Sequence, residues 1–556
     1  MSGLRHPLAP LALTAALALL LLALPLRLPM GPNYWDLHTY VDVAHRMAFG
    51  QIPHVDFFIP VGALGYALFA LVAKAFPAAH PLLAVQYAIL IVVLPLMAAV
   101  TLEAAKRSRG EALALAVPFA MFALLPLNTQ PLYPSPGLDA YGNYNRHIAL
   151  LLYVLSCNLL FVADRAKASW IAALLLAAML MVKVTGFVVG ALLVAHALLA
   201  GRLCAKHGLA AAAAAAAALA FAEWRYGLVG AYAADILQLA RANTGSLLPR
   251  VLTVLSTRFD VVAAAAALAL VAAWRTRASR TADARQALRE RSLAALRRVI
   301  DADWVWLLSL LAAGAIFETQ NTGSQEFILI WPALLIILRG IAFPAARRDG
   351  LPLLLIAATA LPTPMALAHR AARAALSAPG YAAVPAPLLG PFGRVSAKPD
   401  ILRHARAMLA YHPDARVAEQ RLADSGVLPS YILFSEIDFQ AGWLLGSEEA
   451  AAALLAWEAA NGRRLARVAT LDFVDPLPAM LAREPVIGLT VGNDPERMLT
   501  RLDDRTRRAF AEADAVLLPR CPVLASRDAI AAAYEPLMRT RRRIPLTACY
   551  DMLLRE

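Results

Sequence analysis

The stretch Asn33–Phe76, NYWDLHTYVDVAHRMAFGQIPHVDFFIPVGALGYALFALVAKAF, decides how this chain is read. It sets aspartates, three histidines and paired aromatics directly behind the first apolar segment of a chain that is apolar almost throughout. Ionisable groups are costly in hydrocarbon, so a cluster of them tight against a membrane span belongs at the interface, beside a water-filled cavity. A membrane enzyme keeps its chemistry in such a place.

Composition sets the class. Of 556 residues, 60% are hydrophobic and 16% charged, and the mean hydropathy is +0.59. With many apolar runs of spanning length, the expected fold is a polytopic α-helical membrane protein. The formal charge of +13 does not point to nucleic acid, because the arginines fall in short breaks between apolar runs and not along one face of a soluble domain. Arg5 and His6 precede an apolar stretch, Leu8 to Leu26, that is longer than a signal-peptide core and lacks a small-residue cleavage pattern, so it reads as a retained anchor.

About eleven spans are expected, at 10–30, 82–104, 112–127, 147–163, 169–182, 185–201, 208–223, 251–274, 304–318, 326–343 and 351–371. Alternate loops then carry Lys106, Arg107 and Arg109; Arg165 and Lys167; Arg202 and Lys206; the run Arg275 to Arg298; and Arg339, Arg347 and Arg348. Positive-inside asymmetry places these loops and the N-terminus in the cytoplasm of a bacterial inner membrane. The loops near 31–81, 128–146, 223–250 and 318–325 fall outside. Counting Pro60–Phe76 as a span would invert every later loop, so it is read as an interfacial or re-entrant helix. The helix before it, Asp36 to Phe49, places Leu37, Tyr40, Val41, Ala44 and Met47 on one face, expected to lie on lipid, with His38, Asp42, His45 and Arg46 turned to the site. The arginine-rich 275–298 reads as a surface helix attracted to anionic head groups.

An aspartate just after the first span, an interfacial helix, G-Q-x-P, DFF-x-P-V-G and a second interfacial helix together resemble the first exoplasmic loop of GT-C glycosyltransferases. The pattern is similar to bacterial family-39-like proteins, akin to protein O-mannosyltransferases and lipid A aminoarabinose transferases. LMVKVTGFVVGAL at 180–192 resembles the lysine-bearing break, often T-K-G-P, of that superfamily. Leu37 and Ile59 depart from the pattern, standing where relatives carry an acid and a lysine. The resemblance implies transfer of a sugar, with inversion, from a polyprenyl-phosphate donor to a lipid, glycan or protein acceptor outside the cytoplasm.

Such a displacement needs a carboxylate to take the acceptor's proton and cationic surroundings for the departing phosphate. Asp36 is the candidate base, its ionised form favoured at a helix start; the alternative is a helix cap. Asp56 either orients a substrate or closes a turn. His38 and His54 are candidate substrate contacts. No cofactor is expected; a divalent cation held by these acids and histidines is the alternative. Lys183 and Arg146 are candidates for the phosphate, against snorkelling of the lysine to the interface. Tyr144 and Asn145 are candidates for the sugar, and Glu318, Gln320 and Gln325 either bind hydroxyls or solvate a loop. The run YAADILQLARANTG within 223–250 reads as a lid or a packing helix.

Beyond a Pro/Gly-rich linker, 373–396, the segment 397–556 alternates short apolar runs such as VIGLTV and AVLLP with helical stretches, giving a soluble α/β domain expected in the periplasm. Cys521 and Cys549 are either bridged there or two buried thiols. A membrane transporter and a polysaccharide ligase or polymerase remain the alternative functions; no paired repeat of the two halves supports the former.

Overall fold

The computed structural model describes residues 6–129, 135–242, 245–319, 323–341, 349–427, 437–495, 502 and 504–556. Every expected span falls on helix, and proline and charge decide where each helix stops. The first helix is Ala9–Ala23, shorter than the expected 10–30. Leu24 before Pro25 is extended, as a pre-proline residue prefers, and the chain passes into strand β1, Leu28–Pro29. Helix Arg165–Val182 is started by Asp164, whose Oδ1 accepts from the amides of Ala166 and Lys167 at 2.9 and 3.1 Å. The expected span 251–274 breaks at Arg258 into Leu247–Thr257 and Phe259–Glu290. The second piece runs for 32 residues straight through the arginine-rich segment, which is therefore no separate surface helix until Leu293–Ile300. The span 351–371 breaks where Pro362 begins a new helix, giving Gly350–Ala360 and Pro362–Ser377.

Among the described residues, five helices are long and apolar enough to cross a membrane, or six if the bent pair Leu293–Ile300 and Asp303–Glu318 is one span. Five shorter apolar helices accompany them, one being the 13-residue Ala63–Ala75 inside the stretch read as interfacial. At a rise of about 1.5 Å per residue it is too short for a hydrocarbon core of about 30 Å. It is held where a broken helix leaves a free carbonyl: the Gly62 amide donates to the carbonyl of Val182 at 3.0 Å. A side chain at Gly62 would stand 2.1 Å from the Met181 carbonyl oxygen.

The expected linker is wired into the first loop. Strands β2, Ala382–Ala383, and β3, Val395–Ala397, form a small sheet with β1, in which β1 and β3 are parallel. The Tyr34 hydroxyl donates to the Phe392 carbonyl at 2.5 Å. Beyond it lie the long helices Pro399–Asp424 and Ile437–Asn461 and a four-stranded sheet of β4 (Val468–Thr470), β5 (Ala515–Pro519), β6 (Arg542–Pro545) and β7 (Tyr550–Leu554), in the order β4-β5-β7-β6. Cys521 and Cys549 are joined by a disulfide, their Cα atoms 5.1 Å apart.

VIGLTV forms no strand. Gly488 has φ +95°, and the segment gives its backbone to the first loop: Gly488 donates to the Asp56 carbonyl at 2.8 Å and Val491 to that of Phe58 at 3.0 Å. The same docking corrects the expected faces of helix Leu37–Ala48. Asp42 and Arg46 are buried under the C-terminal segment, and His38 is buried against Phe392 and Trp443. Arg46 pairs with Asp42 at 2.9 Å, donates to the Val486 carbonyl at 2.7 Å and lies over the Phe57 ring. His45 meets the Arg483 carbonyl at 2.7 Å, and Gln51 donates to Pro485 at 2.7 Å.

Arg46→Leu leaves the Asp42 carboxyl buried without its cation, a change that costs about 3–5 kcal/mol. Thermal unfolding of the purified protein should show that loss, and the double change Asp42→Leu with Arg46→Leu should recover part of it.

Candidate functional site

Asp36 closes the 3-10 turn Tyr34–Asp36 and precedes the helix Leu37–Ala48, but its side chain makes no capping bond. It reaches across the fold instead, and its Oδ2 accepts from the Gly142 amide at 3.2 Å. Gly142 can present that amide because its φ is +66°, a left-handed conformation that suits glycine. The next residue starts helix Asn143–Phe161, which brings Tyr144, Asn145 and Arg146 to the same place. Burial raises the Asp36 carboxyl to about 6, opposed by the Gly142 amide and by the Arg146 charge. The helix start therefore does not set its protonation; burial does. At neutral pH it still ionises, and its basicity is higher than an exposed aspartate's. Tyr40 and Tyr66, their rings 4.6 Å apart, are electrostatic neighbours of this carboxyl.

Lys183 reaches the cluster from the opposite side. It is the extended residue, φ −162°, between Arg165–Val182 and Val184–Leu199. Its ammonium donates to Asn145 Oδ1 at 2.9 Å and stands 4.9 Å from the centre of the Tyr144 ring. Asp36 and Lys183 are both partly exposed, whereas Asn145, which accepts from Lys183, is fully buried. The start of helix Asn143–Phe161 thus joins the carboxylate, through Gly142, to the ammonium, through Asn145; Tyr40 and Tyr66 lie near the first, and Glu318 interacts electrostatically with the second.

The remaining candidates sit elsewhere or are already engaged. The Arg146 fork, expected to hold phosphate, is occupied within the protein: it donates to Asn128 Oδ1 at 3.0 Å, to the Asp139 carbonyl at 3.3 and 3.2 Å, and to Asn143. It holds the loop that presents Gly142. The Asp56 carboxylate turns back to the Ile52 amide at 2.6 Å and closes a turn. His38 is buried edge-on against Phe392 and Trp443. His54, at φ +68°, bonds Asp235 at 2.7 Å, a residue of helix Leu228–Ala242, whose Tyr232 stacks on it. Gln325 is fully buried and donates to the Phe122 carbonyl at 2.9 Å. Glu318 accepts from the Ser324 hydroxyl at 2.7 Å. Gln320 lies outside the described residues. No group of three or more His, Cys, Asp or Glu among the described residues could hold a metal ion.

Sequence reasoning missed two largely buried ion pairs, Arg258 with Glu326 and, at 2.6 Å, Arg370 with Asp139, whose carbonyl also accepts from Arg146. Both arginines lay inside expected spans, and a charge within an apolar run is itself the signal for a partnered or cavity-facing group.

No family model matches the chain, and no curated protein matches it. Solved structures similar to it include ArnT from Cupriavidus metallidurans bound to undecaprenyl phosphate, at 14% identity over 98% of this chain and 97% of that one, with a TM-score of 0.41. The same protein in the apo state gives 15% identity, 98% and 97% coverage, and 0.39. An Archaeoglobus fulgidus oligosaccharyltransferase tethered to an acceptor peptide gives 11% identity over 100% of this chain and 75% of that one, with 0.34. At such identities and scores the likeness assigns this chain neither a family nor an activity.

The Asp36 carboxyl band, identified by its loss in Asp36→Asn, should titrate near pH 6 in infrared difference spectra. Arg146→Gln removes a charge that lowers this value, so the midpoint should move upward.

Proposed function

We propose that this chain is an inverting GT-C type glycosyltransferase that moves a sugar from a polyprenyl-phosphate donor to a lipid, glycan or protein acceptor on the periplasmic face of a bacterial inner membrane. The observation that carries the reading is that the start of helix Asn143–Phe161 is bonded both to a partly exposed carboxylate of raised basicity, Asp36 through Gly142, and to the Lys183 ammonium at a helix break, through Asn145. Asp36 takes the proton of the acceptor hydroxyl as its oxygen attacks the anomeric carbon. The bond to the phosphate breaks with its electrons on the phosphate oxygen, beside Lys183. General-base assistance and a fixed cation at the developing charge are the two aids this displacement needs. Arg146 acts as a positioning residue through Gly142 and Asp36.

An apolar cavity of about 550 Å³ supports a polyprenyl donor. Ala63, Ala67, Ala177, Met181, Ala215 and Leu228 line it, and Met181 is two residues from the break that carries Lys183. Tyr144, half-buried, contacts the sugar, and Asn145, fully buried, acts through Lys183, whose ammonium it holds. Helix Leu228–Ala242, tied to the first loop by His54 and Asp235, covers this side as a lid. The C-terminal segment 397–556 is then periplasmic with the first loop, to which its backbone is bonded.

Asp36→Asn should lower turnover by about 10²–10⁴-fold while leaving donor binding near wild type, as loss of a general base does. Wild-type turnover in that variant would remove Asp36 from the role. Since the carboxylate is the active form, kcat/KM should fall about tenfold per pH unit below about 6 and stay level above it. Lys183→Ala should weaken binding of undecaprenyl phosphate, measured by titration in detergent.

The orientation is checked with two introduced cysteines at exposed positions. In spheroplasts a membrane-impermeant maleimide should label Arg539→Cys and spare Arg285→Cys. The reverse pattern would overturn the periplasmic site.

A further inference from the structure

A second cavity, of about 900 Å³, lies away from Asp36, between the helices Leu37–Ala48 and Ala63–Ala75 and the segments 388–392 and 479–480. Helix Leu37–Ala48 separates the two. Tyr40 faces Tyr66 and the Asp36 side, whereas Val41, Ala44 and Met47 line the cavity. Its volume is at the upper end of the ~300–1,000 Å³ range of small-molecule sites.

The walls are apolar, and the titratable residues among them are His38, His45 and Lys74, with no carboxylate. Lys74 is exposed at the end of its helix, and the guanidinium of Arg394 donates to the neighbouring Ala78 carbonyl at 2.5 Å. Beside this basic part of the rim stand exposed apolar side chains: Leu71, in the wall, is 57% exposed, and Phe49, just past the other helix, is 49% exposed. Both belong to the loop whose helices read as interfacial, where an apolar rim enters the lipid and cations meet the head groups.

We propose that this cavity binds an anionic phospholipid, its acyl chains between the two interfacial helices and its phosphate beside Lys74. A neutral lipid would fill the apolar walls equally well but leave the basic rim unanswered. The bound lipid would pack against the helix whose first turn follows Asp36, and would brace it from the side opposite Tyr40. The inference stands whether or not sugar transfer is the activity.

The test uses the full chain, purified in detergent and stripped of lipid, with phosphatidylglycerol and phosphatidylcholine of identical chains added and counted by native mass spectrometry. Wild type should retain one phosphatidylglycerol in preference to phosphatidylcholine. Lys74→Glu removes a favourable charge and adds an unfavourable one, so it should weaken phosphatidylglycerol about tenfold or more. Ala44→Trp should weaken retention by narrowing the cavity at the helix that walls it. Should Ala44→Trp not fold, Lys74→Glu, an exposed change, decides alone. Equal retention of the two lipids by wild type overturns the proposal, as does undiminished phosphatidylglycerol binding by either folded variant, or a dimer with no lipid adduct.

Discussion

A charge buried without a partner costs several kcal/mol, and the region around the first loop is arranged by that cost. Arg46 is 1% exposed, and its cation is answered by Asp42, by the Val486 carbonyl and by the face of Phe57. The first of these partners is local, but the other two come from a turn and from a segment more than four hundred residues away. Satisfying one guanidinium therefore fixes the C-terminal segment on the interfacial helix. The same rule joins Arg370 to Asp139 and Arg258 to Glu326, and through Asp139 and Asn128 it holds Arg146.

Against that background Asp36 and Lys183 are distinctive in being polar on one side and partly exposed on the other. Asp36 accepts from one backbone amide, and burial raises its carboxyl. Lys183 bonds a neutral amide and lies over a ring face. Arg146 illustrates the contrast, since its geometric suitability for phosphate is already used on Asn128, Asp139 and Asn143.

Hydropathy made the positions of the apolar helices legible, because each is a local property of ten to twenty residues, although five or six of them, not eleven, are long and apolar enough to cross a membrane among the described residues. The ends were less legible. Pro25 and Pro362 stop helices inside apolar runs, and Arg258 splits a run that looks continuous. In the site, Asp36 and Lys183 were readable as charges beside membrane segments, and Tyr144 and Asn145 as polar residues before one. Their partners were not, because pairings such as His54 with Asp235 or Gly142 with Asp36 depend on tertiary approach. VIGLTV failed as a strand for the same reason: its donors found the carbonyls of Asp56 and Phe58 in place of a neighbouring strand.

The three sides of helix Leu37–Ala48 then acquire separate tasks from one short sequence. Tyr40 lies on the Asp36 side, Asp42 and Arg46 hold the C-terminal segment, and His38, Val41, Ala44 and Met47 line the second cavity. Because these faces share one rigid backbone, a displacement at any of them is felt at Asp36, whose carbonyl accepts the Thr39 hydroxyl at 2.7 Å in the first turn. Placement of the carboxylate is in this way a property of the whole docked loop, set by the contacts of all three faces together.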